Sequence, residues 1–167
     1  MTVIIPFIII AILLIIVYQD LKYRLIHISL LILLFSLSLT FWYLRINIIS
    51  IILYNSAFLS INLIVLKAYT VLRKKKKTED LIYGLGIGDI LLFYAIIPLF
   101  STSNYILFFI TGLIFSMVLH FLISIFVTPN RLIPLAGYLS IYLIVYILYF
   151  KFVNKTFFDL LILTNYQ

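Results

Sequence analysis

The stretch Gly84-Leu85-Gly86-Ile87-Gly88-Asp89-Ile90-Leu91-Leu92-Phe93 decides how this chain is read. It sets a carboxylate inside an apolar run that continues to Phe100. An ionisable group within hydrocarbon is expensive and is normally retained for function. Asp20 stands in a comparable place, at the end of the apolar run Val3–Gln19. Only five of the 167 residues are acidic, and two of these lie against or within such runs. Two carboxylates brought together can share a proton and split water, which is aspartic-protease chemistry.

The chain is 66% hydrophobic and 10% charged, with mean hydropathy +1.30. A soluble domain of this size cannot bury so much apolar surface, so the solvent is lipid. Backbone polar groups in lipid must pair within helices or a closed barrel. These runs are apolar on every face instead of alternating, which selects helices. The expected fold is an all-α polytopic bundle of about six transmembrane helices. The segments are Val3–Gln19, Ile28–Leu44, Asn47–Leu66, Ile82–Phe100, Tyr105–Val127 and Leu132–Phe150. One membrane domain, residues 1–156, precedes a short interfacial tail, 157–167. Met1-Thr2-Val3 lacks a basic opening and no small-residue cleavage site follows, so the first span is expected to be retained.

Cysteine is absent, which removes disulfides, thiolate nucleophiles and Cys-based metal sites from consideration. The glycine run has neither GxGxxG spacing nor a following Lys-Ser/Thr, so a nucleotide phosphate loop is not expected. His27 and His120 are the only histidines. A zinc site would need both plus an Asp, and nothing in their spacing points to one. His27 reads as a solvated interface residue, and His120, inside the fifth segment, as a helix–helix hydrogen-bonding group.

Charge orients the bundle. With six crossings, the loops after the first, third and fifth share one side and hold Lys22, Arg24, Lys67, Arg73, Lys74, Lys75, Lys76, Lys77 and Arg131. Arg45, Lys151 and Lys155 fall on the other. The positive-inside rule puts the first group in the cytoplasm and both termini outside. Asp20 then lies at the cytoplasmic end of the first span. Asp89, about seven residues into the fourth, lies roughly 10 Å deep at ~1.5 Å per residue. A first helix continuing toward Ile26, or a fourth beginning nearer Gly84, would bring the two level. The basic run Lys74–Lys77 suits anionic lipid headgroups, and too little basic surface exists for nucleic acid. Trp42 and Tyr43 beside Arg45 read as an outer aromatic anchor. Asn154-Lys155-Thr156 is a weak glycosylation match.

Each candidate has an ordinary structural reading. Gly84 and Gly88 form a GxxxG helix-packing pair. Asp20 alone reads as an interfacial Asp paired with Lys22 or Arg24. Asp89 has no such reading, because no basic residue lies between Asp80 and Arg131. Ile133-Pro134-Leu135-Ala136-Gly137 reads as a kink near the start of the sixth span.

The pattern resembles the type IV prepilin peptidases and preflagellin peptidases, GxGD-class membrane aspartic proteases with a six-span core. That family carries one aspartate at the cytoplasmic end of its first core span, before a basic stretch and an Ile. Here the corresponding run is Asp20-Leu21-Lys22-Tyr23-Arg24-Leu25-Ile26. The second aspartate closes Gly86-Ile87-Gly88-Asp89, and Ile133-Pro134 matches the opening of the family's last span. Many members continue with Pro-Asn after the Ile and carry a Lys two residues beyond the GxGD aspartate. This chain has His27-Ile28 and Leu91 at those places. The resemblance implies a short, protease-only form in the cell membrane, acting on prepilin-like precursors with no cofactor or metal. Asp20 and Asp89 would be catalytic, and Gly86 and Gly88 would admit the substrate. Glu79 and Asp80 would attract a basic leader. Three alternatives stand beside it: a protease resembling presenilin and signal peptide peptidase, an ion or proton transporter with buried aspartates, and an inactive assembly scaffold.

Overall fold

Apolar helices in lipid gain little from the hydrophobic effect, so their packing rests on shape and on hydrogen bonds that satisfy exposed backbone groups. The computed structural model describes residues 4–40, 48–73, 86–126 and 133–152, all within or beside helices. Helix α1 spans Ile4–Tyr23, α2 Ile28–Thr40, α3 Ile48–Arg73, α4 Ile87–Ile96, α5 Thr102–Phe126 and α6 Leu135–Phe152. A 3-10 turn, Ile97–Leu99, extends α4. Three helices carry segments long and apolar enough to cross a membrane: Ile5–Tyr23, Ile49–Tyr69 and Thr102–Ile125. The protein is therefore an all-α, multi-pass membrane protein. The apolar parts of α2, α4 with its turn, and α6 are shorter.

Several boundaries differ from the sequence reading. Helix α1 continues past Gln19 to Tyr23, and α3 past Leu66 to Arg73. Helix α4 starts at Ile87, with Gly86 as its N-cap residue, so Asp89 lies in the first turn and not two turns deep. The Pro134 region is no kink: α6 begins just after it, and the Tyr138 N–H donates to the Pro134 carbonyl. A ring without an N–H is tolerated at a helix start, where that donor would have no partner. Trp42, Tyr43, Arg45, Lys74–Lys77, Glu79, Asp80, Asn154 and the tail 157–167 lie outside the described residues.

The core is a seam along α1, α4, α5 and α6. Ile9, Leu13 and Ile16 of α1 are buried with Leu139, Leu143 and Ile147 of α6, and Leu92, Phe93 and Ile96 line α4. At the far end of α4 an aromatic cluster closes the seam. The Phe100 and Phe108 rings stand 4.8 Å apart, and Phe93 and Phe109 5.0 Å apart. Pro98 interrupts α4 and frees carbonyls that lipid cannot solvate. Side chains of neighbouring helices take them. The Ser38 hydroxyl of α2 is shared between Phe35 O of its own helix at 2.7 Å and Ala95 O at 3.1 Å, Tyr105 of α5 donates to Phe93 O at 3.2 Å, and Asn55 of α3 to Phe100 O at 3.4 Å. Polar side chains thus fix a short, broken α4 at the centre, and its first turn carries Asp89.

Candidate active site

Three helix termini meet at the site. The first is the C-terminus of α1. Arg24 adopts a left-handed backbone (φ 56°), and its N–H donates to Asp20 O at 3.1 Å, closing the helix with an αL cap. Glycine or asparagine usually fills that position; a larger L-residue there costs roughly 1–2 kcal/mol. The chain then turns through Leu25, Ile26 and His27 into α2. Gln19 Oε1 accepts the His27 N–H at 3.2 Å, which ties the turn down.

The second terminus is the start of α4. Asp89 is its third residue, and its Oδ2 accepts the Gly86 N–H at 3.1 Å, one arm of a capping box. The Asp89 N–H in turn donates to the Gly86 carbonyl at 3.1 Å. Gly88 lies against Ile26: a Cβ at Gly88 would stand 3.1 Å from Ile26 Cδ1. The Ile that ends the first sequence motif therefore packs on a glycine of the second.

The third terminus, the start of α6, joins the other two. The first N–H groups of a helix lack partners within it. The Ala136 N–H donates to Asp89 Oδ1 at 2.8 Å, and the next amide, Gly137 N–H, donates to Asp20 Oδ2 at 2.6 Å. Two carboxylates from distant parts of the chain thus rest on consecutive amides of one helix turn. They lie within electrostatic reach of each other. The positive end of the α6 dipole favours the negative charge they carry. A Cβ at Gly137 would stand 3.1 Å from Asp20 Oδ2 and 3.5 Å from its Cβ, so glycine is what lets α1 come this close. Asp20 and Asp89 are 6% and 9% exposed, and among the described residues Asp20 Oδ1 accepts no hydrogen bond.

The remaining candidates take other places. Lys22 does not pair with Asp20; its Nζ donates to Tyr18 OH at 2.7 Å and sits 5.1 Å from both the Tyr18 and Tyr23 ring centres. His120 meets α6 through Tyr138, ring centres 6.2 Å apart, and its buried Nδ1 has no hydrogen-bond partner among the described residues. The α6 amides were not singled out from the sequence. The signal was present in Pro134 followed by Ala136-Gly137, a helix start with small residues, where a kink was expected instead. Two acids on one helix N-terminus can hold one proton between them and act together on a water and a carbonyl.

No curated protein and no solved structure matches the chain. The model of the type IV leader peptidase family matches residues 7–125, a stretch that holds both aspartates and the GxGD run but stops before the α6 amides. The chain belongs to the type IV leader peptidase family.

Proposed function

We propose that this protein is an aspartic endopeptidase of the cell membrane that removes the basic leader of prepilin-like precursors at the cytoplasmic face. The observation that carries this reading is the seating of Asp20 and Asp89 on the consecutive Gly137 and Ala136 amides. Fixed donors hold both carboxylates in place before any substrate arrives, so little reorganisation is needed at the moment of reaction.

In this mechanism one aspartate is ionised and the other protonated. The ionised carboxylate takes a proton from water as the water oxygen bonds to the scissile carbonyl carbon. The protonated carboxyl gives its proton to the carbonyl oxygen as the π pair moves there. Collapse of the tetrahedral species breaks the C–N bond as the leaving nitrogen takes a proton from the aspartate that gained one and a hydroxyl returns its proton to the other, which restores the dyad. The proton transfers need only the dyad and water. Gly86 and Gly88, at the mouth of α4, border the path of the substrate. The basic loop containing Lys74–Lys77 meets anionic headgroups on the side where the leader lies.

Helix topology supports six crossings with both termini outside. The end of α1 and the starts of α4 and α6 converge on the two aspartates. Alternating crossings by all six helices bring those three ends to one face. If only α1, α3 and α5 crossed, Asp20 and Asp89 would lie on opposite faces.

Co-expression with prepilin-like precursors, followed by leader removal on a gel, tests the assignment. Asp20→Asn and Asp89→Asn should each abolish cleavage; an Asn oxygen keeps the Gly137 bond at position 20 and one of the Ala136 and Gly86 bonds at position 89, so the amount of folded protein is measured for each. Cleavage that survives both substitutions would refute the aspartic mechanism.

A further inference from the structure

The αL cap of α1 is occupied by arginine, a residue unsuited to that backbone. Its side chain turns inward. Arg24 Nη1 is buried and has no hydrogen-bond partner among the described residues. Arg24 lies one helical turn from Asp20, with its N–H bonded to the Asp20 carbonyl at 3.1 Å. A simple ion pair would have used Nη1 on Asp20, yet the Asp20 oxygen that is bonded takes the Gly137 N–H instead. Lys22, the other cation beside Asp20, is engaged by Tyr18 and Tyr23. The site is left with one buried, uncommitted and permanently charged donor beside the dyad.

We propose that Arg24 is a catalytic residue of this site, its Nη1 donating to the carbonyl oxygen of the scissile peptide. This rests on the peptidase reading above. Guanidinium only donates and never loses its proton in proteins, so Arg24 is neither the base nor the acid. Its part is then to hold and polarise the carbonyl oxygen, beside the aspartic acid that protonates it, as water adds to the carbonyl carbon. A donor aimed at that oxygen in a water-poor site acts mainly on the transition state. The strained backbone fits this: glycine would close the helix more easily and would carry no donor.

Strain also supplies the test. Wild type, Arg24→Gly, Arg24→Lys, Asp20→Asn and Asp89→Asn are purified and assayed on a prepilin-like precursor, with thermal unfolding measured on each. Arg24→Gly should melt at or above the wild-type temperature while losing roughly 10²–10³-fold in kcat, the usual loss for one such donor. KM should stay within about threefold, Arg24→Lys should fall between, and added guanidinium ion should restore about tenfold of the Gly variant's rate, as expected for a missing transition-state donor. Equal kcat for Arg24→Gly and wild type would overturn the inference alone. So would a slow Arg24→Gly that melts early and gains nothing from guanidinium, which is the signature of a structural role. A wild type that leaves the precursor uncut, or aspartate variants that cut normally, would overturn the peptidase reading and this inference with it.

Discussion

At the scale of single residues, the site depends on two missing side-chain atoms more than on any long-range force. Gly137 lets Asp20 reach the α6 amide, and Gly88 lets Ile26 cover the start of α4. Gly137→Ala should therefore push the Asp20 carboxylate aside by a few tenths of an ångström or more. Displacements of about 1 Å cost roughly 10²-fold in rate, so this smaller shift should slow leader cleavage by roughly tenfold while the helices stay folded. Gly112→Ala is the matched control. Its Cβ would stand 2.9 Å from Leu139 Cδ2, a side-chain end away from the aspartates. The Leu139 side-chain end can shift and alanine suits a helix interior better than glycine, so that variant should melt near the wild-type temperature and keep the wild-type cleavage rate. Equal rates for the two variants would mean that the Gly137 contact does not position Asp20. The two aspartates were legible in the sequence because a charge in an apolar run stands out against its neighbours. Gly137 was not, since its significance lies in a contact with a residue 117 positions away.

Among the elements, α4 is the exceptional one. It is ten residues long, ends at Ile96 just before the turn that holds Pro98, and is held with that turn by Ser38, Tyr105 and Asn55 from three other helices. In lipid, a carbonyl stripped of its partner finds no water, and interhelical hydrogen bonds there are worth about 0.6–2 kcal/mol each. Ser38→Ala and Tyr105→Phe should each lower stability by about that amount. The pair should depart from additivity, because the two carbonyls, Ala95 O and Phe93 O, lie two residues apart on one short helix. Unfolding in detergent micelles measures both, and a Ser38→Ala variant as stable as wild type would show that the Ala95 carbonyl is satisfied otherwise. Hydropathy located all six helices, with ends off by up to seven residues at α3, because a run of apolar side chains signals a helix in lipid by itself. Where each one starts depended on caps: Gly86 for α4, Arg24 for the end of α1, Pro134 for the start of α6. Hydropathy does not register such caps, so the sequence reading starts the fourth span at Ile82 and sets Asp89 about one turn further in than the helix does.

For the whole molecule, composition and charge carry most of the argument. The excess of apolar residues selects the membrane, and the uneven Lys and Arg distribution selects an orientation. Neither says that α1, α4 and α6 meet; that follows from two hydrogen bonds on neighbouring amides. Joined together, these observations make a prediction about topology. If the three helix ends share a face through six crossings, the loop holding Lys75 lies on the side of Asp20 and Asp89. Arg45 and Lys155 then lie on the opposite side. The absence of cysteine makes this directly measurable, since every introduced thiol is the only one in the chain. A membrane-impermeant maleimide added to intact cells should label Arg45→Cys and Lys155→Cys. Lys75→Cys should react only after the membrane is opened. The reverse pattern would turn the bundle over and put the dyad on the outer face, away from leaders held in the cytoplasm. Labelling of Lys75→Cys and Arg45→Cys from the same side would instead break the alternation of crossings, and the three helix ends could not then meet at one face by this topology.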